Sequence, residues 1–180
     1  MSLRIIAGEF GGRRLVAPPG RRTRPTRAAV REAWFNAIAH RLPGARVLDL
    51  FAGTGALGIE ALSRGAAGVR FVEADAAAYR ALRENLARLG IADRASTQRR
   101  DVFRWLEGVD DPAADVALAD PPYGGGTAAR LLDVWLARPF ADILCIEHAR
   151  GELVDSPADW NRGYGDTELS FYVATTPKGD

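Results

Sequence analysis

The sequence predicts an α/β fold: a three-layer sandwich in which helices cover both faces of a mostly parallel sheet of about seven strands. Three observations carry that expectation. From residue 46 onward, short apolar runs alternate with stretches at helical spacing, the pattern that builds parallel strands joined by crossover helices. The first run opens into a glycine-rich turn, "DLFAGTGALG", of the kind that feeds a strand into a helix N-terminus. With 180 residues, 47% apolar and 26% charged, the chain can bury one sizeable core and is too short for two. A single domain over 1–180 is therefore expected, with 1–31 as a basic extension and 32–180 as the core.

The elements follow in order. "LRIIAGEF" and "RRLVAP" flank Gly11-Gly12 and read as two short strands joined by a turn, an N-terminal β-hairpin. After "PPGRRTRP", Thr26 can cap a helix running to about His40, with Val30, Ala33, Trp34, Ala37 and Ile38 as its apolar stripe. Its opposite face is expected to carry Arg27 and Arg31, and "RLPGA" ends it. The runs "RVLDLF", "GVRFVEA", "ASTQ", "DVALAD", "DILCIEH" and "ELSFYVAT" are expected strands, with helices at 56–64, 76–89, 102–107 and 126–138. Within 76–89, Tyr79, Leu82, Leu86 and Leu89 recur at three- and four-residue spacing and Gly90 supplies a stop.

Net charge is +1, yet residues 1 to 31 hold eight arginines against Glu9, a local +7 that leaves −6 on the remainder. Such a patch on an acidic body reads as a polyanion-binding arm, with Arg13, Arg14, Arg21, Arg22, Arg24, Arg27 and Arg31 as candidates; a merely solvated basic surface is the plainer alternative. Cys145 stands alone in "DILCIE", without a disulfide partner or the companions of a zinc site, so no metal centre is expected. No stretch approaches the roughly 18 apolar residues of a membrane helix, and the arginine-rich N-terminus lacks a signal-peptide core. A cytoplasmic monomer is the expectation.

Chemistry is expected at the carboxyl ends of the strands. Gly53, Gly55 and Gly58 form G-x-G-x-x-G between a strand and a helix, which lets backbone approach a ligand but also suits any tight turn. Asp49, four residues earlier, and Glu73, twenty residues later, strengthen the ligand reading. A carboxylate at the second strand end accepts hydrogen bonds from two neighbouring ribose hydroxyls, a task that serves a nicotinamide dinucleotide and S-adenosylmethionine equally. Asp101 can accept from an adenine amino group or cap the helix after it, and the two roles are compatible.

The discriminating stretch is "ADPPYGGG". Asp120-Pro121-Pro122-Tyr123 closes the fourth strand, and its two prolines fix the backbone while removing two N–H donors. An Asp120 carboxylate with the Pro121 carbonyl can accept both hydrogens of an exocyclic amine, and Tyr123 offers a face on which a planar base stacks for roughly 1–3 kcal/mol. His40 and His148 read as a helix end and a buried strand end, the four tryptophans as packing, and Glu147 as a lesser candidate for the rim of the site.

With these residues in hand, the chain resembles the class I S-adenosylmethionine-dependent methyltransferases, whose fold is Rossmann-like. More narrowly, "RIIAGEFGGRRL", "RPT", "VREAWFN", "DLFAGTGALGIEALSRGA", "FVEAD", "NL" and "ADPPY" occur in the order and spacing of the RsmD-like methyltransferases of bacterial small-subunit ribosomal RNA, which act on a guanine N2. The resemblance runs from about Leu3 to Tyr123 and more weakly to Ala174. It implies that Asp49, Phe51, Ala52, Gly53, Thr54 and Gly55 wall the methionine side, that Glu73 meets the ribose, and that Asp101 and Val102 frame the adenine. Asp120, Pro121, Pro122 and Tyr123 are implied to hold the target base, and ribosomal RNA to be the partner. After "RPT" the family usually reads Thr-Asp-Arg, whereas Arg27-Ala28-Ala29 stands here; the missing acid bears on the RNA contact and leaves the cofactor site untouched. Rival readings are an amino methyltransferase of DNA, a nicotinamide-dependent oxidoreductase and a non-catalytic RNA-binding assembly factor.

Overall fold

Burial along the strands separates the centre of the sheet from its edges. In Arg46–Leu50 (β1) only the first residue is exposed, whereas Trp160–Tyr164 (β6) has no buried residue. A central strand is covered on both faces and an edge strand is not. A computed structural model describes residues 3–18, 28–109, 114–153 and 155–174. The remaining strands are Gly68–Val72 (β2), Ala95–Gln98 (β3), Ala114–Ala119 (β4), Ala141–Ala149 (β5) and Thr167–Val173 (β7). They form one seven-stranded sheet in the order β3-β2-β1-β4-β5-β7-β6. The first five are parallel, while β7 runs antiparallel to β5 and β6 antiparallel to β7.

Two apolar clusters cover the two faces. On one, Val47, Phe71, Val116 and Leu118 pack with Trp34 and Phe35 of Ala28–Ala37 (α1), with Ile59 and Leu62 of Ala56–Ser63 (α2), and with Leu82 and Leu86 of Ala76–Leu89 (α3). On the other, Leu48, Leu50, Ala117 and Leu144 pack with Phe103 and Leu106 of Val102–Leu106 (α4) and with Leu131 and Trp135 of Thr127–Ala137 (α5). Strand neighbours therefore alternate between the clusters, as a pleated strand requires. Asp75 starts α3 by accepting the Ala77 and Ala78 N–H groups, and Gly90 ends it in the left-handed conformation.

Several expectations needed adjustment. The strand β6 was not anticipated, because "WNRGY" sits on the sheet edge and lacks alternating apolar residues. The helix expected from Thr26 to His40 is described as α1 followed by a 3-10 turn at Ala39–Arg41, and Thr26 lies outside the described residues. Of the expected N-terminal hairpin, the structure has a single antiparallel bridge, Arg4 to Arg14, with two strands not defined. Among the described residues no helix is long and apolar enough to cross a membrane.

The N-terminal segment is tied down by polar side chains of the core. Fully buried Glu60 accepts the Ile6 and Ala7 N–H groups at 2.7 and 3.0 Å, and Ser63 accepts that of Phe10 at 2.9 Å. Asn85 accepts the Val16 N–H at 2.7 Å, and its amide donates to the carbonyls of Val16 and Thr54, each at 3.0 Å. One buried side chain thus joins the N-terminal segment, α3 and the glycine-rich loop.

Candidate active site

The strand order reverses direction at β1: the chain first adds β2 and β3 on one flank, then returns to place β4 on the other. Such a switch point opens a crevice beyond the carboxyl ends of the strands, where α/β sheets bind ligands. Register aligns its lining. Val72, Leu50, Ala119 and Ile146 form one paired row, so Glu73, Phe51 and Asp120 leave the sheet at the same level, with Glu147 beside them still within β5.

The glycine-rich loop is held by acids from two strands. Asp49 accepts the Gly58 N–H through Oδ2 at 2.8 Å, which ties the end of β1 to the first turn of α2. Glu73 spans the loop and the following turn, accepting the Gly53 N–H at 2.7 Å and the Asp75 N–H at 2.7 Å. Its carboxylate is nine-tenths buried and supports the loop itself. Backbone strain is concentrated here, since Phe51 has φ of 57° without being glycine, a conformation kept only where surroundings impose it.

The glycines differ in purpose. A Cβ at Gly58 would overlap Phe71 Cε1 and lie 2.7 Å from Phe71 Cζ and 2.8 Å from Val69 Cγ1, so this glycine permits close packing of α2 on β2. A Cβ at Gly53 would meet only the Phe51 carbonyl, at 4.0 Å. That open space beside the loop is where a ligand can touch backbone.

Electrostatics single out Asp49, which is 1% exposed and whose Oδ1 has no hydrogen-bond partner among the described residues. Burial raises its pKa from 3.8 to about 8; the Gly58 N–H opposes this, and the charges of Asp120 and Glu73 add to it. At neutral pH the carboxyl is therefore mostly protonated.

Phe51 packs edge-on against Phe103 with ring centroids 6.1 Å apart, and buried Val102 lies beside it at the start of α4. Asp101 is exposed and caps α4 by accepting the Arg104 N–H at 3.0 Å. Ala52 and Thr54 are buried, Asp120 is half-buried, Pro121 is buried and Pro122 is exposed. Tyr123 is half-buried; its hydroxyl donates to Glu147 Oε1 at 2.9 Å and lies 2.7 Å from Thr167 Oγ1. Burial, with Glu147 and Asp120 nearby, pushes the Tyr123 phenol well above its ordinary range. Among the expected site residues, Asp49, Phe51, Gly53, Glu73 and Asp120 are gathered at one end of three neighbouring strands.

The expected basic arm divides. Arg13 and Arg14 are exposed and, with Arg88 of α3, line a groove of about 530 Å³. Arg21, Arg22, Arg24 and Arg27 lie outside the described residues. Arg31 is corrected: it is 5% exposed, not on a solvated face, and its Nη2 donates to the Arg4 carbonyl at 2.8 Å. Desolvation lowers its pKa and the charge of Glu60 opposes that, which marks a structural cation inside the core. His148 is buried between the Ser170 hydroxyl and the Ala149 carbonyl, both at 2.8 Å, and His40 is exposed. Sequence reading assigned Asn85 and Thr167 no role, since their contacts span 31 to 69 residues and no local pattern announces them.

The chain is similar to known proteins over most of its length. The family model described as conserved hypothetical protein 95 matches residues 3–173. Ribosomal RNA small subunit methyltransferase D of Escherichia coli strain K12 is 37% identical over 164 residues, covering 88% of this chain and 81% of that protein. Its counterpart in Haemophilus influenzae is 32% identical over 165 residues, covering 88% and 84%. The solved structure of a hypothetical protein from Thermus thermophilus superposes with a TM-score of 0.81 at 30% identity, covering 95% of this chain and 99% of that one.

Proposed function

The chain belongs to the conserved hypothetical protein 95 family, and from that premise we propose that it is an S-adenosylmethionine-dependent methyltransferase of small-subunit ribosomal RNA, with the exocyclic N2 of a guanine as acceptor. The observation that carries the reading is the single level at which Glu73, Phe51 and Asp120 leave three neighbouring strands around the glycine-rich loop, beside Glu147 of β5. Similarity to the two small-subunit methyltransferases supports the substrate class.

The residues fit the cofactor on three counts. Gly53 leaves open space beside its backbone, buried Asp49 keeps an unpartnered oxygen among the described residues, and the Glu73 carboxylate lies against the loop with acceptor capacity beyond its two N–H donors. Bound S-adenosylmethionine supplies an electrophilic methyl group on sulfur. Asp49, Phe51, Ala52, Gly53, Thr54 and Gly55 would hold its methionine side, Glu73 the ribose hydroxyls, and Asp101 with Val102 the adenine.

The catalytic work of the chain is alignment, because an attacking amine needs no nucleophilic residue. The Asp120 carboxylate and the Pro121 carbonyl accept the amine hydrogens and orient its lone pair. As positive charge builds on nitrogen, Asp120 offsets it. Pro121 and Pro122 keep that backbone from competing as a donor, and Tyr123 presents a ring to a base turned out of its stack. Arg13 and Arg14 with Arg21, Arg22, Arg24 and Arg27 grip phosphates. The working unit in this reading is a cytoplasmic monomer acting on the small subunit or its assembly intermediate.

The test is to incubate the protein with labelled S-adenosylmethionine and unmodified small ribosomal subunits, then identify the methylated nucleoside by mass spectrometry, with Asp120→Ala alongside. N2-methylguanosine that vanishes in the variant is the expected result. Label on another nucleoside overturns the acceptor assignment. Label on duplex DNA alone, or intact cofactor binding without turnover on any nucleic acid, overturns the ribosomal reading in favour of a DNA enzyme or a binding factor.

A further inference from the structure

The Tyr123 hydroxyl is held from two strands at once. Glu147 stands near the end of β5 and is 4% exposed; Thr167 opens β7 and is 8% exposed. These strands are paired antiparallel, with Glu147 opposite Leu169 and Ala149 opposite Thr167, so both side chains rise from adjoining positions of a rigid ladder. A phenol has one proton. With that proton donated to Glu147 at 2.9 Å, the 2.7 Å contact to Thr167 requires the threonine hydroxyl to be the donor. The result is a directed chain from Thr167 through Tyr123 to Glu147.

Two such partners fix more than a position. The phenol oxygen is conjugated with its ring, so its hydrogen bonds lie close to the ring plane, and anchoring the oxygen to two separate groups sets both where the ring is and how it is turned. The loop that carries Tyr123 does not supply this. Gly124, Gly125 and Gly126 follow it, all with positive φ, and a Cβ on any of them would meet nothing within 4 Å. The ring is thus oriented from the β5–β7 side of the sheet, on a residue three positions from Asp120.

We propose that Glu147 and Thr167 are positioning residues that fix the plane of the Tyr123 ring and thereby the seat of the acceptor base beside Asp120. The proposal rests on the methyltransferase reading above. Neither residue touches the reacting atoms; each acts through the tyrosine hydroxyl.

A double-mutant cycle tests this, since residues acting through one group are non-additive. Tyr123→Phe keeps the stacking face and removes the anchor. It should lower kcat/KM for methyl transfer to small subunits by about tenfold to 100-fold, the scale on which small misplacements act, while S-adenosylhomocysteine affinity in calorimetry stays within about twofold. Thr167→Val and Glu147→Ala should each do the same, whereas Thr167→Ser and Glu147→Gln, which keep a donor and an acceptor, should restore most of the activity. In the Tyr123→Phe background, Thr167→Val should add nothing. Losses that multiply, or a Thr167→Val protein as active as wild type, would overturn the proposal. A readout without turnover separates it from the activity reading: nuclear magnetic resonance of labelled tyrosine rings, with Tyr123 assigned by its loss in Tyr123→Phe. One fixed ring environment should become averaged in Thr167→Val, a variant close enough in shape to fold if Glu147→Ala does not. An unaltered ring signal overturns the lock whatever the enzyme methylates. Absence of transfer by the wild-type chain overturns the base seat even where the ring is held.

Discussion

Replacing Asp49 with asparagine should flatten the pH dependence of stability. In the folded chain burial raises this acid from 3.8 to about 8, with Asp120 and Glu73 adding to the effect. Between those two values the native state keeps a proton that the unfolded chain has lost. The sign follows from linkage: stability is fully present below about pH 4, falls as pH rises, and the loss is complete once pH passes about 8. Inside the window one such group contributes a slope of up to about 1.4 kcal/mol per pH unit, so roughly 3 kcal/mol disappears between pH 5 and 7. Asparagine is the same size, carries no titratable proton, and can still accept the Gly58 N–H that Asp49 accepts at 2.8 Å. Urea unfolding of both proteins at pH 5, 6, 7 and 8 measures the difference directly, because the other titrating groups are common to both. Stability that declines for wild type and stays nearly level for Asp49→Asn is the expected result. Parallel curves would show that Asp49 is ionised in the folded chain and that its buried oxygen is compensated.

Gly58→Ala should destabilise by about 1–3 kcal/mol, as overpacking of a fixed helix on a strand does, because its Cβ would overlap the edge of the Phe71 ring, 2.7 Å from Cζ; a lowered urea midpoint checks it. Glu73→Ala removes the acceptor of the Gly53 and Asp75 N–H groups, and S-adenosylmethionine affinity in calorimetry should fall by at least about tenfold, the equivalent of one charged hydrogen bond. Replacing Arg21, Arg22 and Arg24 with alanine should weaken RNA binding and reduce its salt dependence by about 0.7 log units for each phosphate no longer neutralised, with cofactor affinity unchanged; filter binding across a salt series reads both.

Local patterns announced most of the fold. The apolar runs of β1, β2, β4 and β5 and the spacing of Tyr79, Leu82 and Leu86 were legible because central strands and amphipathic helices impose short periods on the residues that build them. The β6 strand was not legible, since an exposed edge imposes no such period. At the site, Asp49, Glu73 and Asp120 were legible as acids ending predicted strands. The cap role of Asp101 was legible too; what was not legible is that Glu73 supports the loop by two backbone contacts. Arg31 was misread although helical spacing sets it three residues before Trp34 and seven before Ile38, on the edge of the apolar stripe; the N-terminal segment, whose path no periodicity reveals, covers that face and takes its guanidinium at the Arg4 carbonyl. Tyr123 was legible as a ring, and its two anchors were not, lying 24 and 44 residues away.

The three-way junction at Asn85 sets an order of events during synthesis. Val16 leaves the ribosome 69 residues before the amide that receives it, an interval of roughly 3 to 14 s at ordinary elongation rates. Glu60 and Ser63, which receive Ile6, Ala7 and Phe10, also arrive more than 50 residues late. The first segment made is therefore among the last to settle. Any nascent chain cut short before Asn85 lacks this junction, and Val16 then has no Asn85 to hold it beside the loop.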